Sequence, residues 1–546
     1  MSKRKTGDAI YLEQWLDFHP YMRPAQSDYY YLKLCNEFYA ILKDDFDVTE
    51  FELSSDETKC LACFLACYFE DVISGPGLWR VFTRRTKELY GTWLPFYKPA
   101  NGPYFTGEYF PEEINYADIN FLLWYFFSIL RMDEDQISPE YIVDSYLPGK
   151  VFDIMEREYE TAPENLHLKQ FYSLDPEQAS FADVNAKVRW IGLDSWLLYF
   201  TGIEMDQMID EMMEEEDEES LPEKDREGFV YDYIDSYAMS HYTRLLAMRG
   251  NEWLARILGS GHPLYADIMA MGTKKSGNFL YTGEEEGFVL FRHLTTGKVL
   301  NVNSLSIDPP MNAIPGISVV HAGFTFWCGS WWFSGSLAIY HDEPDLAELL
   351  KDTKHEAFLF PVEPEWKSVD LDGQGRAFLK YNRGKAMAFV ADRKEALGFV
   401  RGFYLFYIDS LGLRRRERRA RMDPILSDIR DAALTPDEVF GPDEEMPAMI
   451  FFNPEYGIEV VSDYNDLIPD PDNPWYDPDM PAENSLHLLN ANGISGRWAR
   501  YLVEEYDLPG LAFPGEKGSE ILLENLDFML RFWKERYYYP EIISTR

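Results

Sequence analysis

FVLFRHLTTGKVLNVNSLSIDPPMNAIPGISVVHAGFTFWCGSWWFSGSLAIY, residues 288–340, is the stretch on which the fold class turns. Short β-branched and aromatic runs alternate there with turn signals at Thr296-Gly297, Pro309-Pro310, Pro315-Gly316 and Gly329-Ser330. Such side chains suit a pleated, half-buried surface, and Gly and Pro supply the backbone angles of tight connections. About four or five short strands are expected, forming a small antiparallel sheet or half-open barrel of SH3-like or OB-like size over 280–342.

Before this module the texture is helical, over residues 1–275. Ser54 and Glu57 have capping-box spacing, and TKCLACFLACYFEDVI (58–73) carries apolar residues every three or four positions until Ser74-Gly75-Pro76-Gly77. That pattern predicts a helix over 55–73. Further helices are expected over 27–42, 78–90, 116–130, 139–162 and 227–258. In the last, Tyr233, Tyr237, His241 and Leu245 recur every fourth residue and fall on one stripe. TWLPFYKPANGPYFTGEYFPEE (92–113) reads as a long surface loop held by its rings. Between Glu204 and Glu219 ten of sixteen residues are acidic. An insertion over 204–225 is expected there, a short amphipathic helix running into a disordered loop.

Residues 343–546 read as a mixed α/β and helical region. Strands are expected over 357–362 and 377–392, with Asp372-Gly373-Gln374-Gly375 as a turn before the second. A helix from Arg393 to Leu411 should continue into a basic run. The Pro- and Asp-rich stretch 435–481 reads as loop, and helices over 495–506 and 519–537 close the chain. The whole is expected to be α+β: a mostly helical N-terminal domain, a small antiparallel β module and a mixed C-terminal part.

Charge narrows the function classes. Asp and Glu number 94 against 51 Lys and Arg, a formal net charge of −43 over 546 residues. A field of that sign repels phosphate backbones and anionic lipid, so naked DNA and membranes are poor partners. The apolar run INFLLWYFFSIL (119–130) is too short to cross a bilayer and reads as a buried helix. MSKRKTGDAI has basic residues without an apolar stretch behind them, unlike a secretory signal. Five cysteines make no disulfide framework and fit a reducing compartment. A cytoplasmic protein is expected.

Several constellations invite chemistry. Cys60, Cys63 and Cys67 share a helix face but lack a fourth zinc ligand at matching spacing, so core packing explains them better. Glu70 and Asp71 end the same helix, where carboxylates need compensation; Arg80, Arg84 and Arg85 offer a structural ion pair, and a perturbed catalytic acid is the alternative. DPDNPWYDPD (470–479) lacks the Gly and Glu of a calcium loop. Arg414, Arg415, Arg416, Arg418, Arg419 and Arg421 form an arginine-rich run that pairs with the acidic insertion or binds an external anion or partner. The ribbon Phe324, Phe326, Trp327, Trp331, Trp332 and Phe333 fills a barrel or stacks a ligand. P-loop, Rossmann, HExxH and G-x-S-x-G patterns are not found. No cofactor and no metal are expected.

The stretches DYYYLKLCNE (28–37), CYFEDVISGPGLW (67–79), LYGTWLPFY (89–97), EINYADINFLLWY (113–125), EYETAP (158–163) and the C-terminal ENLDFMLRFWKERY resemble a family of Bacteroidetes proteins, a domain of unknown function. The resemblance implies a bacterial cytoplasmic protein and carries over no activity, cofactor or catalytic residue.

Two function classes follow. The favoured one is a non-enzymatic interaction or regulatory protein whose partner is a protein or a ribonucleoprotein. The alternative is an enzyme, a hydrolase or nucleic-acid-processing protein, with its site between the helical domain and the β module; Glu70, Asp71, His241 and His321 are its candidate groups.

Overall fold

The computed structural model describes residues 9–535 except 46–47, 50, 98–107, 132–135, 216–222, 273, 295, 311–312, 341–369, 423–445, 456, 480–483, 492 and 509. The fold is α+β and divides into two compact units, Met1–Val362 and Glu363–Arg546.

In the first unit the helices are α1 (Leu12–Leu16), α2 (Gln26–Leu42), α3 (Ser55–Ser74), α4 (Leu78–Tyr90), α5 (Tyr116–Leu130), α6 (Pro139–Asp144), α7 (Leu147–Glu158), α8 (Leu166–Tyr172), α9 (Phe181–Leu193), α10 (Tyr199–Glu215), α11 (Glu223–Ser240), α12 (Gly250–Leu258) and α13 (Tyr265–Met269). The capping box forms as expected: Glu57 N donates to Ser54 Oγ at 3.2 Å and Ser54 N to Glu57 Oε2 at 2.7 Å. Gly75, at φ +69°, terminates α3 in the left-handed region where a side chain is disfavoured. α2 packs along α3, and α5 is buried on nearly every side. Among the described residues no single helix is long and apolar enough to cross a membrane.

Two expected helices break. The one over 139–162 parts at Ser145, which is extended and accepts from Leu147 N at 3.0 Å to start α7. The one over 227–258 stops at Ser240; a turn closed by the Thr243–Met248 bridge buries Leu245, Leu246, Ala247 and Met248 before α12 begins. Burial of four apolar side chains in a row cannot be met by one helix face, which removes Leu245 from the expected stripe, while Tyr233, Tyr237 and His241 keep it, His241 N donating to the Tyr237 carbonyl at 2.8 Å.

β1 (Lys275–Glu285), β2 (Phe288–His293), β3 (Val299–Asn303), β4 (Val319–Trp327) and β5 (Ser330–Tyr340) form a closed barrel in the order β1-β2-β3-β5-β4. The pairs are antiparallel except β3 with β5, which meet in parallel at Val302 and Trp331. Phe279, Val289, Phe291, Leu300, Val302, Val320 and Phe324 fill its interior. The barrel shares its unit with the helices, and α11 lies against β5.

The second unit contains α14 (Leu371–Tyr381), β6 (Met387–Val390), α15 (Arg393–Ser410), β7 (Ala448–Asn453), β8 (Gly457–Ser462), α16 (Asn484–Asn490), α17 (Gly496–Glu505), α18 (Gly518–Glu524) and α19 (Leu526–Trp533), with an antiparallel sheet ordered β6-β7-β8. Several expectations are corrected. The Asp372–Gly375 stretch is the first turn of α14: Asp370 caps it by accepting from Gly373 N at 2.8 Å. A Cβ at Gly373 would collide with the Asp370 carboxylate, and one at Gly375 would sit 3.1 Å from the Phe452 ring. Those glycines therefore serve close approach and not a turn. Only Met387–Val390 is strand in that region. β7 and β8 lie inside the stretch read as loop, and α15 ends at Ser410, with residues 415–422 a separate helical stretch. The closing helix over 519–537 divides at Asn525. The strand expected over 357–362 and the tip of the acidic insertion, 216–222, lie outside the described residues.

Candidate functional site

The segment after α1 and the ends of three other helices converge on a buried polar cluster. His19 follows α1, Asp28 stands in the first turn of α2, Glu70 in the last turn of α3, and Asn165 caps α8. His19 Nε2 is 2.8 Å from Glu70 Oε2, and its Nδ1 is 3.0 Å from the Trp15 carbonyl. A carbonyl can only accept, so Nδ1 carries hydrogen and Nε2 is the nitrogen turned to the carboxylate. Asn165 Nδ2 donates to Glu70 Oε1 at 2.8 Å while its Oδ1 accepts from His167 N and Leu168 N. Asp28 Oδ1 accepts from Trp15 Nε1 at 3.1 Å and from the Tyr21 hydroxyl at 3.0 Å; Oδ2 accepts from Ala25 N at 2.5 Å. Burial lowers the proton affinity of His19, but the Glu70 and Asp28 carboxylates more than offset this and raise it above the ordinary value. One donor atom each from His19, Asp28 and Glu70 lies within 4.8 Å of the others, a set able to hold a cation.

Asp71 has a different task. Its carboxylate accepts from Gly77 N, Leu78 N and Trp79 N at 3.1, 3.2 and 2.9 Å and so starts α4. Burial pushes it up to about 6, against the pull of those three donors. The expected arginine partners go elsewhere: Arg80 and Arg84 to Glu112, Arg85 to Glu88. His241 stacks on Tyr237 with ring centres 4.2 Å apart, and burial with nearby Arg244 holds it down to about 3. His321 lies on β4 with Nδ1 3.2 Å from Asn278 Oδ1. The four groups weighed for catalysis thus answer to four separate sets of partners. His19, Asp28 and Asn165 were not legible as a site, because residues 19, 28, 70 and 165 have no spacing in common.

The arginine run stands on the exposed stretch 415–422 of the second unit, where Arg418 reaches Asp409 at 2.5 Å. In the other unit, Glu204 of the acidic stretch bonds Arg244 at 2.6 Å. Cys35, Cys63 and Cys67 are buried free thiols.

A cleft of about 550 Å³ lies between α9, α11 and the barrel, lined among others by Phe181, Asn185, Arg189, Tyr231, Trp327 and Trp332. Phe181 stacks on Trp332 with centres 5.4 Å apart, Trp327 stands 5.5 Å from Trp332, and Arg189 lies over the Tyr231 ring. The aromatic ribbon therefore divides: Phe324 fills the barrel and the two tryptophans face the helices. Asn185 Nδ2 donates to Asp235 Oδ1 at 3.1 Å, yet its buried Oδ1 has no hydrogen-bond partner; neither has the buried Nε1 of Trp327. A buried orphan acceptor and donor at one cleft are costly unless a ligand or water answers them.

A family described as "Protein of unknown function (DUF3843)" matches residues 9–292, which span the helical part and the first barrel strands. No curated protein and no solved structure matches the chain.

Proposed function

The chain belongs to the DUF3843 family, and on that premise we propose that it is a non-enzymatic interaction protein that grips an extended segment of a protein partner in the cleft between α9, α11 and the barrel. The observation that carries this reading is the aromatic wall of the cleft, where Phe181 stacks on Trp332 and Arg189 lies over the Tyr231 ring. Aromatic walls supply apolar grip at little entropic cost, as in other grooves that hold peptide segments. Leu305, which lines the cleft, is 86% exposed, and Ile314 and Ile317 on the same β3–β4 connection are also exposed. An apolar margin of this kind suits a macromolecule.

The charge of −43 favours a cationic segment, and the arginines of 415–422 offer a second contact to an acidic protein or ribonucleoprotein surface. Five free cysteines fit a reducing, cytoplasmic setting of the bacterial kind implied by the resemblance. The test is tagged purification of the chain from its host at low salt, with Leu305 replaced by a photo-crosslinking residue. A stoichiometric partner crosslinked at residue 305 and lost on Trp332→Ala is expected. Recovery of the chain alone, or the same partner with Trp332→Ala, would count against the cleft as receptor.

A further inference from the structure

We propose that His19, Asp28 and Glu70 bind one divalent transition cation of the zinc or manganese class, which fastens the segment between α1 and α2 to the end of α3. The argument begins with charge. Asp28 is fully buried and Glu70 is 1% exposed, and the described group that can carry a positive charge against Glu70 is the His19 imidazole, 2.8 Å away. Even as imidazolium, His19 leaves one negative charge in a site shielded from water, an expensive remainder. A divalent ion with neutral imidazole and two carboxylates brings the sum to zero.

Geometry agrees. The Trp15 carbonyl fixes hydrogen on His19 Nδ1, so Nε2 is presented as a ligand, the arrangement that orients metal-bound histidines. Asn165, Trp15 and Ala25 hold the carboxylates from behind. The three donor atoms already lie within 4.8 Å of one another, so a shift on the order of 1 Å brings them to the separations that bond lengths of about 2.1 Å require. The cation replaces the hydrogen between His19 Nε2 and Glu70 Oε2. Tyr21, half-buried with its ring 5.3 Å from that of His19, offers its hydroxyl oxygen as the next ligand and marks the way in. One imidazole with carboxylate oxygens suits zinc or manganese better than calcium, which takes oxygen alone.

The experiment uses the full chain stripped with a chelator and titrated with Zn²⁺, then with Co²⁺ as a coloured probe. One equivalent of Zn²⁺ with a rise in Tm is expected, and Co²⁺ should show a ligand-field band without thiolate charge transfer. His19→Gln and Glu70→Gln should each weaken binding about a hundredfold, whereas Glu112→Gln, an exposed carboxylate, should leave it unchanged. A native chain that takes up neither Zn²⁺ nor Mn²⁺ stoichiometrically would leave a plain ion pair and overturn the proposal. A cobalt–thiolate band would do the same by placing the ion at the cysteines, whatever the stability of the variants.

Discussion

Lys274 Nζ lies 2.7 Å from Asp232 Oδ1 and 3.3 Å from Asp235 Oδ2, a side chain without exposure that ties the entry to the barrel to α11. Room for it exists only because Gly335 has no Cβ: one there would stand 2.2 Å from Asp232 Oδ1 and 2.3 Å from Lys274 Nζ, at φ +95°. Gly335→Ala is therefore expected to cost about 3 kcal/mol or more, from strained backbone and a displaced ion pair together. Lys274→Met, which strands two carboxylates, should cost about 3–5 kcal/mol. Denaturant midpoints measure both; a Gly335→Ala protein as stable as the native chain would show that the ammonium has other room.

The histidine beside Tyr237 sets a pH dependence. His241 is held down to about 3 in the fold by burial and Arg244, against an ordinary value of about 6.5 in the unfolded chain. Unfolding therefore takes up a proton between those values, so its contribution to stability is complete above about pH 6.5 and is lost as pH falls toward 3. The slope from this one group is at most about 1.4 kcal/mol per pH unit, and less because the ring is only partly buried. His241→Asn should flatten the acid side of a Tm-against-pH curve by that amount. An unaltered curve would mean that the ring is already protonated or hydrated in the native chain.

What the sequence made legible follows from which signals are local. The helix Ser55–Ser74 is written in its own residues, since a Ser-Glu capping box opens it and Gly75 closes it. Barrel strands likewise carry their alternation and their turns with them. Unit-two strands β7 and β8 did not, because AMIFFN is buried throughout and shows no alternation, and Pro and Asp crowd the flanks. Asp372-Gly373-Gln374-Gly375 misled for a related reason: a cap at Asp370 and the Phe452 ring decide the glycines' use, and the ring is distant in sequence. Of the site, Glu70 stood out only as a charge at the wrong helix end. Its partner His19 lies 51 residues away, and contacts of that separation leave no periodic trace.

Asp71 offers a direct measure of a buried cap. Three backbone N–H groups of the Gly77–Trp79 turn depend on its two oxygens. Asp71→Ala leaves all three without an acceptor and should cost about 3 kcal/mol, the sum of a lost cap and unmet buried donors. Asp71→Asn keeps one carbonyl oxygen and should cost roughly half as much. Equal stability of the alanine and asparagine variants in urea would mean that the turn finds its acceptors elsewhere.

Thiol reactivity tests the packing around α3 independently. Cys35, Cys63 and Cys67 are buried, and burial pushes Cys35 and Cys67 far above the ordinary thiol range; it raises the partly buried Cys60 as well. Cys328 is exposed in the β4–β5 turn, though burial of its sulfur and nearby Asp267 push it up to about 11. The thiolate is the reactive species, so the four raised thiols should be slow at neutral pH, Cys63 is shielded by burial, and Cys328 is the exposed one. Ellman's reagent should therefore release one slow equivalent from the native chain, all five in denaturant, and none from native Cys328→Ser. Fast release of two or more equivalents from the native chain would require α3 to open, and with it the wall that places Glu70 against His19.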